Sequence, residues 1–189
     1  MDLFPLVSRS GDDDEMKRTL LIAVVLLMSA PASAAEPADY SGRFEPVDLT
    51  KATEDKENAI KEVASHAPRL FQRIMRSRLS KAASIARFLS FVSSENQMSV
   101  SSNESSDWVT DLSATETEFI SSWGKKVTMA RWMSDGVLFT RAQGERGTRS
   151  ARLELSSDGL QLSVQTTIEN KSLPRPLVFQ TEYRRVEPK

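Results

Sequence analysis

The chain has 189 residues, of which 27% are charged and 39% hydrophobic, with a formal net charge of -1. That balance is typical of a soluble folded domain and carries no global signal for nucleic acid or a strongly charged substrate. The absence of cysteine excludes a disulfide framework, a thiolate zinc site and a cysteine nucleophile.

The N-terminal region reads as a targeting segment. Met16-Lys17-Arg18 is basic, Leu20 to Met28 ("LLIAVVLLM") is apolar, and Ala32-Ser33-Ala34 is a small-x-small site. Cleavage is expected between Ala34 and Ala35. The apolar run falls short of the roughly 20 residues that a bilayer requires. The acids from Asp12 to Glu15 sit directly before the basic residues, where a signal peptide has none. Translation is therefore expected to start at Met16. Residues 1–15 are then a spurious leader, 16–34 a signal peptide, and 35–189 a single exported domain, periplasmic or secreted. The first 34 residues hold five acids and three bases, so residues 35–189 carry a formal charge of +1.

Tyr40 to Leu49 ("YSGRFEPVDL") reads as a short strand ended by Pro46. Thr50 to Ala59 is charged and helix-prone, with Thr50 or Thr53 as the expected N-cap. Ile60, Val63, Ala67, Leu70, Phe71, Ile74, Met75 and Leu79 recur at three- and four-residue steps, the spacing of one apolar helix face. Pro68 lies inside that pattern. It removes an amide donor and clashes one turn back, which predicts a kink or two consecutive helices near His66-Ala67. The helical insertion spans about residues 52–84.

From Phe88 onward the period changes to two. Alternating runs at 87–92, 97–102, 107–112, 115–122, 126–133, 137–143, 148–155, 160–169 and 177–186 are separated by Gly, Asn, Asp, Ser or Pro. The fold class is mainly β, an antiparallel up-and-down meander forming a barrel or a curved half-barrel, with a kinked amphipathic helix between its first and second strands.

Two hairpins carry Ser-Asp-Gly, at 134–136 and 157–159. These turns reverse the chain, since a phosphate loop needs more glycines and a following helix. With Ser156 to Gly159 as the loop, Leu155 faces Leu160, Leu153 faces Leu162 and Ala151 faces Val164. The same reading sets Trp132 opposite Val137 and Ala130 opposite Phe139. The last strand adds Leu177, Phe179, Thr181 and Tyr183 to the inner set.

Few constellations suggest chemistry. His66 is the single histidine, and with no cysteine and no clustered carboxylates it points to a helix-end structural role and to no metal site. Asp107, Asp111, Glu116 and Glu118 are the densest carboxylates among the strands, but Glu116 and Glu118 alternate with apolar positions like the wet face of a strand. No Gly-x-Ser-x-Gly occurs. The residues support no enzyme and imply no cofactor. Arg69, Arg73 and Arg76 share one helix face in a stretch with no acid from Pro68 to Arg87. That face suits anionic lipid or an acidic envelope partner, or simply water. Nucleic acid is not an expected partner. The aromatic residues spread over the strands line either an apolar cavity or a filled core.

Gly42-Arg43-Phe44 in "YSGRFEPVDLTKA", the basic "RSRLSKA", the meander with "ARWMSDGVLF" and "LELSSDGLQLSV", and the closing "SLPRPLVFQTEYRR" together carry a family resemblance. The chain resembles small exported bacterial proteins with a lipocalin-like β-barrel, most of them without an assigned function. The resemblance implies a Gly-x-Trp opening on whose ring an arginine of the last strand packs. Here phenylalanine replaces the tryptophan, and Arg184 or Arg185 is the packing arginine. The expected function is non-enzymatic binding of a small apolar or amphiphilic molecule by Trp132, Phe139, Leu162, Phe179 and Tyr183. The alternative is an envelope interaction module that uses Arg69, Arg73 and Arg76.

Overall fold

The computed structural model describes residues 36–94, 96–103, 105–120 and 125–187. The expected leader, the signal peptide and the cleavage pair Ala34-Ala35 lie outside the described residues. A single turn of 3-10 helix, Pro37–Tyr40, leads into β1 (Gly42–Pro46). Helices α1 (Leu49–Ser65) and α2 (Arg69–Ala82) follow. Then come β2 (Leu89–Ser94), β3 (Gln97–Ser102), β4 (Ser105–Asp111), β5 (Thr117–Ile120) and β6 (Lys126–Ser134). The chain ends with β7 (Val137–Gly144), β8 (Gly147–Leu155), β9 (Gln161–Glu169) and β10 (Leu177–Val186).

The ten strands form one antiparallel sheet in the order β4-β3-β2-β1-β10-β9-β8-β7-β6-β5. The sheet curls into a nearly closed barrel. Its open seam lies between β4 and β5 and is bridged lower down by the segment after β4. There Ser113 bridges Trp132, and the Ala114 amide donates to the Arg131 carbonyl at 2.9 Å.

Pro68 splits the helical insertion into two helices, as its missing amide requires. The N-cap of α1 is Asp48, whose carboxylate accepts from the Lys51 amide at 2.9 Å, and not Thr50 or Thr53. Thr53 instead donates its hydroxyl to the Leu49 carbonyl within the first turn, at 2.7 Å. The apolar face does not continue across the break. Ile60 and Val63 are buried, but on α2 only Leu79 is, while Leu70, Phe71 and Ile74 are exposed. Pro68 restarts the helix with a new phase, so the spacing of the whole segment does not describe one face.

Both Ser-Asp-Gly turns join hairpins. At the first, the loop is only Asp135-Gly136, with φ of 51° and 74°, and the ladder closes at Ser134 and Val137. Positive φ at both central positions is the hairpin geometry that Asp-Gly favours. At the second, the loop is longer than the four residues expected. The Ser156 amide donates to the Gln161 carbonyl, and Asp158 accepts from Ser156 Oγ at 2.6 Å and from the Leu160 amide at 3.0 Å. The true pairs are therefore Leu155 with Leu162, Leu153 with Val164 and Ala151 with Thr166. Both registers differ from expectation by two residues. A two-residue slip preserves which face each side chain takes.

Two apolar clusters fill the ends of the barrel. The floor holds Tyr40, Phe44, Phe91, Met98, Leu138 and Tyr183 among others. Under the helices, Ile60, Val63 and Leu79 pack with Ile168, Leu177 and Phe179. The floor is tied off by Tyr40, whose hydroxyl lies 2.9 Å from the carbonyls of Gly136 and Leu153 and accepts from the Leu138 amide. Burial raises the Tyr40 phenol above its ordinary pKa.

The opening motif behaves as the resemblance implies. Arg185, not Arg184, lies over the Phe44 ring, 4.8 Å from its centroid. Its guanidinium also donates to the carbonyls of Gly159, Ser41 and Asp39. Gly42 is needed here. Its φ is +138°, and a Cβ would stand 2.9 Å from Arg185 Nη1.

Candidate functional site

The inner wall follows from the strand registers. Leu162, Phe179 and Tyr183 point inward, as expected, but they belong to the packed ends, Leu162 and Tyr183 to the floor and Phe179 to the helix side. Trp132 and Phe139 point outward, against expectation. They face each other across β6 and β7 and stack with ring centroids 5.4 Å apart, opposite the exposed Arg152. Met129, Arg131 and Met133 of β6 and Leu138, Thr140 and Ala142 of β7 take the inward positions. The expected set of five is therefore not brought together.

Between the two packed ends runs a row of small side chains. Thr166 pairs with Ala151, Ala151 with Thr140, and Thr140 with Arg131, straight across four neighbouring strands. Phe179 of β10 stands beside Thr166 at the far end of the row. Five strands make four spacings, or about 19 Å of wall. Val100, Trp108, Phe119, Thr140, Ala142 and Ala151 face inward and are only half-buried. Of these, Val100 and Ala151 pack against the floor cluster, and Trp108 and Phe119 stand at the open seam. Trp108 and Phe119 stack at 5.5 Å across the seam between β4 and β5.

Arg131 closes this row. Its side chain is 3% exposed. Nη1 donates to the carbonyls of Met98 and Trp108 and to Thr110 Oγ1, at 2.8–2.9 Å, and so ties β6 to β3 and β4 across the seam. Nε is buried with no hydrogen-bond partner, and no carboxylate pairs with the guanidinium among the described residues. Burial alone pushes its pKa down to about 10. A buried cation without a counter-charge costs several kcal/mol on general grounds, about as much as a broken buried pair. Sequence alone does not single out Arg131, because size and hydrophobicity put its neighbour Trp132 on the inner face. The signal lay in β7, where Val137, Phe139, Arg141 and Gln143 form the wetter alternation and Leu138, Thr140 and Ala142 carry no charge.

The other candidates fall elsewhere. His66 caps the C-terminus of α1 at the surface, its Nδ1 2.9 Å from the Glu62 carbonyl. Glu118 pairs with Lys126 on the outer face of β5 and β6. Trp123 and the Asp107 side chain lie outside the described residues. Arg69, Arg73 and Arg76 are all exposed on α2.

No protein-family model matches the chain, and no curated protein matches its sequence. Solved structures do match its fold. The fatty acid transporter REP1-NXSQ superposes with a TM-score of 0.51 at 12% identity, covering 80% of this chain and 99% of that one. A secretory abundant heat soluble protein from Ramazzottius varieornatus superposes with the same TM-score at 10% identity, covering 82% of this chain and all of that one. At such identities the likeness establishes the barrel fold.

Proposed function

We propose that the barrel is a non-enzymatic carrier for one small amphiphilic molecule with an acidic head. The apolar part lies along the row Thr166, Ala151 and Thr140, between a floor that includes Leu162 and Tyr183 and a helix-side cluster that includes Phe179. The acidic head meets Arg131. The observation that carries this reading is the buried guanidinium without a counter-charge, standing at the end of a row of small inward side chains. An anionic head supplies the missing charge and accepts from the guanidinium, a pairing stronger than a neutral hydrogen bond. The similar fold of a fatty acid transporter agrees with this ligand class. Export of the carrier is supported by the basic Met16-Lys17-Arg18, the apolar run Leu20 to Met28 and the Ala32-Ser33-Ala34 site.

Native mass spectrometry of the protein taken gently from its own cells tests the reading. The expected result is an added mass of one small lipid that organic extraction releases as an acid. A chain at its bare mass, with no acidic lipid in the extract, overturns it.

A further inference from the structure

Helix α2 anchors to the fold through Leu79 and Met75 but leaves its other large apolar residues outside it. Leu70 is 87% exposed, Phe71 58% and Ile74 49%. At 100° per residue these three fall within one stripe about 100° wide, on the side away from the buried Leu79. Arg78 and Lys81 extend the same stripe toward the C-terminal end, and Arg69, Arg73 and Arg76 flank it on one side. All five cations are exposed, and none forms an ion pair among the described residues.

We propose that this face of α2 docks the protein on an anionic lipid surface, with Leu70, Phe71 and Ile74 inserted among the acyl chains and the arginines on the headgroups. An apolar stripe bordered by cations is what a helix lying in a bilayer interface requires. Three neighbouring apolar side chains left in water lose hydrophobic free energy that lipid insertion recovers. A second copy of the same face fits poorly, because its five cations repel their own image. Nucleic acid answers the arginines but not the apolar stripe. The inference is independent of what the barrel holds, since none of these side chains reaches the inner wall.

The test is co-sedimentation of the full chain with phosphatidylglycerol vesicles and, separately, with phosphatidylcholine vesicles. Binding is expected to the first, to weaken with added salt, and to be far weaker on the second. Replacing Arg69→Gln, Arg73→Gln and Arg76→Gln together should weaken it by about a hundredfold, from the typical contribution of each cation near an anionic surface. Leu70→Ser with Ile74→Ser should weaken it as well, with the circular dichroism spectrum unchanged. Because the chain has no cysteine, Phe71→Cys gives a single labelling site, and a polarity-sensitive dye there should shift to the blue on anionic vesicles. Equal binding to both vesicle types, no binding to either, or a dye that stays in water overturns the proposal. So does vesicle binding that survives the triple arginine replacement.

Discussion

Helix α1 sets Ile60, Val63 and Ala64 against the sheet, whereas α2, its neighbour beyond Pro68, buries Leu79 alone and leaves Leu70, Phe71 and Ile74 exposed. The two are similar in length and both amphipathic by spacing, so periodicity does not tell them apart. Partners do. The buried stripe of α1 meets Ile168, Leu177 and Phe179, and the Glu62 carboxylate at its C-terminal end pairs with Arg175 in the loop before β10. The exposed stripe of α2 joins neither apolar cluster among the described residues. Apolar spacing identifies a face that wants burial, and only the fold decides whether the burial is internal.

The sharpest way to break this contrast is to truncate one residue on each helix. Ile60→Ala should cost about 3 kcal/mol, the usual cost of a cavity in a packed core. Leu70→Ala should change stability by no more than about 0.5 kcal/mol, as for a surface position. Urea denaturation of the two variants reads the difference, and equal losses would mean that α2 packs as α1 does.

A smaller effect sharpens the same contrast by pH. The hydrogen bond from Arg175 holds the Glu62 carboxyl below its ordinary value. A depressed carboxylate pKa gives stability that is present above the unfolded value and is lost as pH falls through the folded one. Thermal midpoints of the unaltered protein and of Glu62→Gln should therefore differ slightly near neutrality and converge in acid. Glu62 is exposed, so solvent screening keeps the difference small. A gap that stays constant down to strongly acid pH would remove the ion pair from the account.

The strands were legible because each alternates between turn residues, and the split at Pro68 followed from the chemistry of proline alone. The arginine over Phe44 followed from the family resemblance of the opening Gly42-Arg43-Phe44, which left Arg184 and Arg185 open until the register of β10 decided between them. The helix cap was not, because Asp48, Thr50 and Thr53 all offer a side-chain oxygen and only the backbone decides which faces the first turn. Loop length at Ser156–Leu160 depends on how Asp158 and Ser156 hydrogen-bond within it, which composition does not reveal. The site was legible only in part. Size and hydrophobicity assign Trp132 inward and Arg131 outward, and the barrel reverses both. A tryptophan can be covered by stacking on Phe139 outside, while a charge placed inside must be met by hydrogen bonds and, on the present account, by the ligand.

The central claim is that Arg131 holds an acid inside the barrel. Calorimetric titration of the delipidated protein with a long-chain fatty acid and with the alcohol of the same chain length tests it most directly. A charged hydrogen bond in a buried site contributes about 2 kcal/mol, so the acid should bind at least tenfold more tightly than the alcohol. Arg131→Met should erase that preference while the variant still binds the alcohol. Equal affinity for the two heads in the unaltered protein, or no heat from either, would contradict the claim and leave Arg131 as a tie across the seam alone.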